Sequence, residues 1–424
     1  MKTTILEYGA IGDGKTLNTQ SIQQAIDACA ESGGGQVVIP AGVFVSGSIW
    51  LKSHVELHLA HGAVLKASSD YRDYNALDAF PQNMNSPEME GWVGRHLIIA
   101  LNQTNIAVTG HGVIDGSGDT FFEPWQKNPW GWNYGWAYGF SREKDKINRR
   151  PGQVMCLIEC EHIRVTDITF RNAPCWCCFL HGCDYATIRG IHVFNEKHYA
   201  NTDGIDIDTC RYVTISDCII DTGDDAIAIR SNAKRLLKAT DGCQNITISN
   251  CILSSSSCVF RIGVGFGKIR NVTISNIVMH RGGTGLRFER SQIENMTITN
   301  IIAENVSCPF DMFESDECDC TINRLVIDGY NIQPMCAARM RAITSEAFSN
   351  ITIRNMEAEI TEAPYELNEK AESQRGEYVF EIQGGNNMKF ENVCVVIPDR
   401  LKEQWKGIAQ FVNCNEVEKI RCNF

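Results

Sequence analysis

A run of carboxylates is the part of this sequence best suited to chemistry. Between residues 201 and 231 the chain reads NTDGIDIDTCRYVTISDCIIDTGDDAIAIRS. Ionised groups at this density repel one another and are costly to remove from water, so their presence in strand-forming sequence needs a reason. They bind a cation, perform acid–base chemistry or lie in solvent. The candidates are Asp203, Asp206, Asp208, Asp224 and Asp225.

The overall composition argues against several classes of partner. The chain has 424 residues, of which 43% are hydrophobic, and a formal net charge of −12. That charge opposes bulk attraction to nucleic acid or to an anionic membrane surface. No apolar run approaches the length of a membrane span. We therefore expect no nucleic-acid or membrane partner, and an acidic glycan could bind only through a local basic patch.

The cysteine content indicates a reducing compartment. The chain has 19 cysteines, an odd number that cannot pair completely, and its opening MKTTILEYGAIGDG lacks the apolar core and cleavage site of a signal peptide. We therefore expect reduced thiols and a cytoplasmic location. Two cysteine clusters, Cys175–Cys183 and Cys318–Cys320, do not have the ligand spacing of a zinc site. Their interpretation as interior thiols predicts no metal and no cofactor.

A glycine-rich segment near the N-terminus precedes a predicted helix. Residues 9–16 read GAIGDGKT and satisfy the phosphate-loop pattern. A phosphate loop requires its helix to open at the Gly-Lys-Thr itself, so that the helix N-terminus faces phosphate. Here the helical spacing of apolar residues places the helix start near Asn18 or Thr19. We interpret the segment as a turn before a helix that caps the N-terminal end of the fold. The apolar residues are Ile22, Ala25, Ile26 and Cys29.

A recurring phrase organises the rest of the chain. It has the form Val/Ile-Thr-Ile-Ser-Asn, and its threonines stand at 166, 187, 214, 247, 273 and 297. Repeats of this length, with short alternating strands and almost no helical period, indicate a solenoid of the parallel β-helix type. The asparagine that follows each Thr-Ile-x suits a turn with left-handed backbone. We predict an all-β, single-domain fold over residues 1–424, with a strand and the capping helix in 1–35, coils in 36–424 and an aromatic loop insertion near 119–150.

The aromatic insertion is a candidate binding surface. It reads FFEPWQKNPWGWNYGWAYGF over residues 121–140 and has no clean strand or helix period. Aromatic faces suit the C–H faces of sugars, so Trp130 and Trp132 could form a sugar-stacking wall. A hydrophobic plug or a contact between copies of the chain explains the segment equally well, and the sequence is compatible with a homo-oligomer.

Aligning the coils on the recurrent threonines brings the carboxylates together. Asp203, Asp224 and Asp225 then become neighbours across one coil step, with Arg261 and Arg287 just beyond them. Carboxylates on adjacent coils can be separated by enough to admit a water, which an inverting glycosidase requires at about 6.5–9.5 Å between its two carboxyl groups. Crowding would leave one of them protonated to serve as the acid. A calcium site or a solvated aspartate ladder is the alternative.

Two motifs make the resemblance to a known family specific. NTDGIDID and TGDDAIAIRS place Asp203 and Asp224 21 residues apart within the coil repeat, and GDGKTLNTQSIQQAIDACAESGGGQVVIPAG and GHGVIDGSG accompany them. The chain resembles glycoside hydrolase family 28, the polygalacturonase family, over nearly its whole length. The resemblance implies a right-handed parallel β-helix and a metal-free inverting mechanism. It also implies that Asp224 is the general acid and that Asp203 and Asp225 hold and activate the water.

The sequence departs from the family pattern at two positions. The family's Gly-His-Gly falls on Ser257-Cys258-Val259, so the histidine is absent, and its Arg-Ile-Lys falls on Arg287-Phe288-Glu289. The resemblance implies that the Arg/Lys pair grips the galacturonate carboxylate. A glutamate there should repel a uronate unless Arg261 or Arg290 compensates. The candidate substrate-binding residues are Asn201, Cys258, Arg261, Arg287 and Glu289, together with Trp130 and Trp132.

The sequence therefore predicts an inverting glycoside hydrolase whose partner is an oligosaccharide. Its expected substrates are short, imported, pectin-type or related oligosaccharides attacked from one end, with neutral or mixed sugars as options beside galacturonate. Two other functions stay open. One is a β-helix polysaccharide lyase or epimerase, and a calcium-dependent lyase would lose activity in chelator. The other is a non-catalytic glycan-binding relative in which the lost histidine and lysine record lost activity.

Overall fold

The computed structural model describes residues 1–75, 94–122, 150–232, 236–238, 240–314, 319–362 and 375–424. These residues divide into two compact units. Residues up to 224, together with 236–238 and 240, form the first unit. Residues 225–232 and those from 241 to 424 form the second. Within the described part of the chain, no helix is long and apolar enough to cross a membrane.

The first unit contains one α-helix, α1 (Thr19–Glu31), and nineteen short strands among its described residues. Neighbouring strands pair in parallel with strands one coil away in the sequence. The strands are β1 (Lys2–Thr4), β2 (Asp13–Leu17), β3 (Gly35–Ile39), β4 (Gly42–Ser46), β5 (Ile49–Trp50), β6 (Val55–Leu59), β7 (Ala63–Ala67), β8 (Ile98–Leu101), β9 (Thr104–Gly110), β10 (Val113–Asp115), β11 (Met155–Ile158), β12 (Glu161–Thr166), β13 (Thr169–Arg171), β14 (Cys178–His181), β15 (Asp184–Arg189), β16 (His192–Phe194), β17 (Ile205–Asp208), β18 (Arg211–Ser216) and β19 (Ile219–Thr222).

The second unit has the same parallel coil pattern with longer strands. Apart from a 3₁₀ helix at Asp399–Gln404, the regular elements of its described residues are strands. They are β20 (Ile227–Ser231), β21 (Gly242–Ser255), β22 (Cys258–Gly265), β23 (Lys268–Glu289), β24 (Gln292–Ala303), β25 (Val306–Phe313), β26 (Thr321–Ile332), β27 (Ala338–Arg341), β28 (Phe348–Glu359), β29 (Tyr378–Gln383), β30 (Asn386–Val396), β31 (Gly407–Val412) and β32 (Asn415–Ile420).

Stacked side chains fill the interior of each coil. In the first unit Ile163 pairs with Ala186, which pairs with Val213, and all three are buried. In the second unit Phe260 and Leu286 form the same kind of column. Alternate residues point outward, as the burial pattern BeBeBe of β15 illustrates. Because side chains alternate with a period of two, each repeat buries its Ile, Val and Phe and exposes its Thr and Ser. The predicted all-β, parallel-coil architecture is confirmed.

The N-terminal helix is the predicted cap. Helix α1 begins at Thr19 and buries Ile22, Ala25, Ile26 and Cys29 against the neighbouring strands. The Gly-Lys-Thr of the phosphate-loop pattern lies before it, in β2. There the Asp13 carboxylate accepts hydrogen bonds from the backbone N–H groups of Lys15 and Thr16 at 2.9 and 2.8 Å. Those donors therefore serve a local turn, and the helix N-terminus does not face them.

Left-handed asparagines mark the corners between strands. Asn250, Asn276, Asn300 and Asn355, which follow the Thr-Ile-x phrases, have φ values between 52 and 57°. Asparagine tolerates this region better than most residues. One expected alignment is wrong: Thr166 pairs with Arg189, whereas the partner of Thr187 is Arg164. The first copy of the phrase is displaced by two residues, which keeps the same face exposed because strand side chains repeat every two residues.

Candidate active site

Asp203 lies at the entry to a buried strand of the first unit. It lies two residues before the start of β17, and its carbonyl oxygen accepts a hydrogen bond from the Cys177 N–H at 2.9 Å. The next residue, Gly204, accepts from Cys178 at 3.1 Å. These bonds fix the backbone of the Asn-Thr-Asp motif against the preceding coil. The residue is 3% exposed, so its carboxylate belongs to the protein interior rather than to a solvated loop.

Asp224 is anchored to the same motif. It follows β19, and its side-chain Oδ2 accepts a hydrogen bond from the backbone N–H of Asn201 at 2.9 Å. Thr202 ties the two segments together because its Oγ1 accepts from the Gly223 N–H at 3.2 Å. Carboxylate oxygens of Asp203 and Asp224 lie within 4.8 Å of each other. The two motifs that are 21 residues apart in the sequence therefore meet at one point.

Gly223 permits this close approach. A Cβ atom at this position would lie 2.3 Å from the Tyr199 carbonyl oxygen and 2.5 Å from that of Glu196. Backbone atoms cannot retreat from such a contact as the end of a flexible side chain can. The glycine is therefore required for the Asp224 segment to lie against residues 196–202.

Arg150 is a residue of this site that the sequence did not reveal. It is fully buried, and its two terminal nitrogens donate hydrogen bonds of 3.2 Å, one to the Ala200 carbonyl and one to Oδ1 of Asn201. Its guanidinium also lies over the Phe122 ring, 5.6 Å from the centroid. Asn201 has φ 56°, a strained backbone that these contacts hold in place. No local signal marks Arg150, since its partner lies 51 residues later in the chain.

Asp225 is held by groups of the second unit. The carboxylate accepts hydrogen bonds from the Cys258 N–H at 3.2 Å and from Nη2 of Arg261 at 3.2 Å, and it forms a close ion pair with Nε of the same arginine. The residue is 3% exposed. A carboxylate that accepts this many donors in a buried position is restrained in both location and orientation.

The ion pairs continue from Asp225 as an alternating series. Nη1 of Arg261 donates to Glu289 at 2.8 Å, and Nε of Arg287 donates to the other oxygen of Glu289 at 3.1 Å. Arg287 also pairs with Asp311, which accepts two further bonds of 2.8 Å from Arg341. Strand pairing places Arg261 opposite Arg287 and Arg287 opposite Asp311. We call this series the charge ladder; its members are Asp225, Arg261, Glu289, Arg287, Asp311 and Arg341.

Electrostatics favour the charged forms of Glu289 and Arg261. Burial alone would raise the pKa of Glu289, but Arg261 and Arg287 hold that pKa below its ordinary value. Burial works against the charge of Arg261 as well, yet Asp225 and Glu289 raise its pKa. The thiol of Cys258, at the position of the family's histidine, is different because burial raises its pKa to about 12. Cys258 is therefore neutral near pH 7 and supplies neither the charge nor the proton transfer of an imidazole.

The remaining candidates are distributed as follows. Asp206 and Asp208 lie within β17 and are completely buried, so they are not solvated acids. Trp130 and Trp132 lie outside the described residues, and their role as a sugar-stacking wall stays a prediction. The structure thus groups Asn201 with Asp203 and Asp224, and Asp225 with the ladder.

A comparison with known families decides what these motifs belong to. The model of Glycosyl hydrolases family 28 matches residues 29–309, which is 281 of the 424 residues and includes both aspartate motifs. The chain belongs to glycosyl hydrolases family 28. As a member of this family it is a glycoside hydrolase, and its substrate is a carbohydrate.

Individual relatives agree with this assignment. The chain is 27% identical over 376 residues to a probable polygalacturonase of Vitis vinifera, covering 83% of this chain and 73% of the relative. It is 30% identical over 253 residues to an exo-poly-alpha-D-galacturonosidase of Dickeya chrysanthemi, covering 53% of this chain and 41% of that protein. The crystal structure of a hyperthermoactive exopolygalacturonase from Thermotoga maritima matches with a TM-score of 0.60 at 22% identity, over 99% of this chain and 92% of the other. The structural likeness confirms the right-handed parallel β-helix.

Proposed function

We propose that this family 28 hydrolase removes terminal residues from short pectin-type oligosaccharides with inversion at the anomeric carbon. The observation that carries hydrolysis is the approach of Asp203 and Asp224 oxygens to within 4.8 Å on the two aspartate motifs. Inversion is what the resemblance of the NTDGIDID and TGDDAIAIRS motifs to the family implies. Two proteins similar to this chain are named as an exo-poly-alpha-D-galacturonosidase and an exopolygalacturonase. Their names support attack from a chain end.

Each aspartate has one role in the proposed reaction. Asp224, as the acid, protonates the glycosidic oxygen while the bond to the anomeric carbon breaks. A water adds to that carbon from the opposite face and loses its proton to Asp203. Because Oδ2 of Asp224 accepts the Asn201 N–H, the acidic proton belongs on the other oxygen, Oδ1. The Asn201 contact therefore also aims the acid.

Stereochemistry is the decisive measurement for this mechanism. Inverting pairs have carboxyl groups about 6.5–9.5 Å apart, whereas the nearest oxygens of Asp203 and Asp224 are closer than that. NMR of the first product formed from a defined oligosaccharide should show the anomer opposite to that of the cleaved bond, and monosaccharide should be the first product. A first product with retained configuration would contradict inversion, and longer first products would contradict exo action.

Substitution of the acid tests the assignment of the residues. Asp224→Asn should lower kcat by roughly 10³-fold, since general acid catalysis contributes about 10²–10⁴-fold. Asp217→Asn is the matched control, because Asp217 is an exposed turn residue of the same unit with φ 59° that asparagine also tolerates. Unchanged turnover in Asp224→Asn would remove Asp224 from the mechanism. Ultraviolet-absorbing products that vanish in chelator would instead indicate a lyase, and binding without any product would indicate a glycan-binding protein.

The proposal includes action inside the cell, on oligosaccharides already reduced in length. The described residues include 18 cysteines as thiols, and most are buried. Burial raises the pKa of Cys183 well above its ordinary value, and neighbouring Cys160 and Cys210 hydrogen-bond to it. Such thiols suit a reducing compartment. Disulfide bonds found by mass spectrometry of protein from its native source would contradict this location.

A further inference from the structure

The charge ladder of the second unit balances to zero. Asp225, Glu289 and Asp311 supply three negative charges, and Arg261, Arg287 and Arg341 supply three positive ones. Most of the series is shielded from solvent: the Glu289 side chain is 12% exposed and that of Arg287 is 23% exposed. Dissolved salt screens such partly buried pairs much less than it screens the long-range repulsion or attraction of a charged substrate, so the internal pairing persists under ordinary conditions.

Arg261 and Arg287 donate hydrogen bonds to carboxylates of the protein itself. Arg261 uses Nε and Nη2 on Asp225 and Nη1 on Glu289. Arg287 uses Nε on Glu289 and Nη1 on Asp311. A bidentate guanidinium–carboxylate contact is the strongest way for a protein to bind an anionic sugar. A uronate beside Asp225 would have to displace an internal carboxylate to obtain that contact.

Glu289 is the residue on which this balance depends. It is the one ladder member that contacts both Arg261 and Arg287, at 2.8 and 3.1 Å. Without its charge the two arginines would face only Asp225 and Asp311 between them, and Arg341 already neutralises Asp311. The group would then carry a net positive charge next to Asp225.

We propose that Glu289 makes the sugar position beside Asp225 selective for an uncharged residue, such as a neutral sugar or an esterified uronate, over a free uronate. The inference rests on the proposed function, because it requires the chain to act on a pectin-type oligosaccharide. It deepens that function by stating the charge of the substrate. The specificity comes from excluding the charged sugar. Glu289 repels a carboxylate, and it also occupies the guanidinium groups of Arg261 and Arg287 that would otherwise bind one.

A pair of substrates that differ in esterification at one sugar tests the proposal. Wild-type protein is assayed on an oligogalacturonide and on the same oligomer methyl-esterified only at the terminal sugar that is removed, and kcat/KM should favour the ester by roughly tenfold, the effect of one charge in a partly screened site. Glu289→Gln keeps the shape and removes the charge, so it should shift the ratio of the two kcat/KM values toward the free acid by a similar factor. Glu289→Lys should shift it further.

Salt and a matched control separate specificity from structural damage. Raising the ionic strength should speed cleavage of the free acid by the wild type and slow it in Glu289→Lys, since screening weakens both repulsion and attraction. Glu381→Gln removes a carboxylate that Arg339 holds at 3.1 Å on neighbouring strands of the same unit, and its substrate ratio should stay at the wild-type value.

The outcomes distinguish this inference from the proposed function. A wild type that cleaves the free acid as well as the ester, or a ratio that Glu289→Gln leaves unmoved, would overturn the role of Glu289. Where Glu289→Gln fails to fold, the wild-type ratio and its salt dependence still decide. If neither substrate nor any neutral oligosaccharide is hydrolysed, the proposed function fails instead.

Discussion

Asn201 takes its orientation from a side chain 51 residues earlier in the chain. Arg150 donates to Oδ1 of Asn201 and to the carbonyl of Ala200, both at 3.2 Å, and is fully buried. Asn201 in turn donates its backbone N–H to Asp224 at 2.9 Å. An error of about 1 Å in the placement of a catalytic group can cost roughly 10²-fold in rate. In the proposed mechanism, Arg150 is therefore a positioning residue that acts on Asp224 through Asn201.

Substitution of Arg150 should affect turnover more than substrate binding. We expect Arg150→Met to lower kcat by roughly 10²-fold with a smaller change in KM, because the acid is misplaced while the other contacts remain. Arg150→Lys keeps the charge but cannot donate from two terminal nitrogens, so its kcat should lie between those of the wild type and Arg150→Met. Steady-state kinetics, with circular dichroism to verify folding, give the measurement.

The matched control for Arg150 is an arginine of the same unit that lies nearer the solvent and binds a carboxylate instead of backbone and amide oxygens. The Arg171 side chain is 50% exposed and pairs with Asp115 at 2.9 Å in the same unit. Arg171→Met should keep kcat within about twofold of the wild type, since exposed ion pairs contribute little. Equal losses in Arg150→Met and Arg171→Met, or a normal kcat in Arg150→Met, would remove Arg150 from the positioning of Asp224.

At the scale of the element, the corners between strands depend on asparagine ladders. Asn276 has φ 56° and donates from Nδ2 to Oδ1 of Asn250 at 3.2 Å. Its own Oδ1 accepts from Asn300 at 3.1 Å. Each asparagine thus satisfies a left-handed corner and links it to the coils on both sides. Asn245, Asn271 and Asn295 form a second ladder of the same kind, with bonds of 3.0 and 2.6 Å.

Substitution of one corner asparagine should separate the contribution of its ladder hydrogen bonds to stability from that of its tolerance for left-handed backbone. Asn276→Ala loses both the ladder bonds and the tolerance for left-handed backbone, and we expect a loss of about 1–2 kcal/mol in the free energy of unfolding. Asn276→Gly loses the bonds but tolerates the backbone, so its loss should be smaller. Urea unfolding of both variants makes the comparison. A glycine variant less stable than the alanine variant would show that backbone strain is not the cause.

Local periodicity explains which features of the fold could be predicted. Helix α1, the alternating coil strands and the left-handed asparagines all follow from residue types a few positions apart. The equal spacing of Arg261 and Arg287 from their coil threonines predicts their pairing, which the strand register shows. The Thr166 alignment was wrong because a shift of two residues preserves the exposed face, and a period-two pattern cannot detect it.

Contacts between distant segments explain what could not be predicted. The Arg150–Asn201 bonds depend on how a segment 51 residues upstream is folded back, which no repeat encodes. The position of Glu289 in the sequence predicts repulsion of a uronate carboxylate. It does not predict that Glu289 accepts hydrogen bonds from both Arg261 and Arg287. Side-chain torsions decide that engagement, and sequence spacing specifies only which residues share a column of the sheet.

For the molecule as a whole, one buried histidine links stability to pH. His96 is 4% exposed, and its ring Nδ1 lies 3.0 Å from the Gln153 carbonyl oxygen, to which it must donate. Burial lowers the pKa of His96 from 6.5 to about 4. His96 therefore takes up a proton near pH 6.5 in the unfolded chain, but only near pH 4 in the folded protein. The stability that neutral His96 provides is complete above pH 6.5 and is lost as the pH falls toward 4.

Between pH 7 and pH 5.5, where carboxylates contribute little, this linkage should lower the free energy of unfolding by about 1 kcal/mol. Urea unfolding at both values measures the difference. His96→Gln keeps a side-chain N–H donor without a titrating ring, so the slope over this range should flatten. The control is His280→Gln, because the His280 side chain is 65% exposed and pairs with the exposed carboxylate of Glu304. Its slope should match the wild type. If the free energy of unfolding of His96→Gln still falls with pH as steeply as that of the wild type, a group other than His96 has the lowered pKa. The ring of His96 would then have to be charged inside the folded protein at pH 5.5.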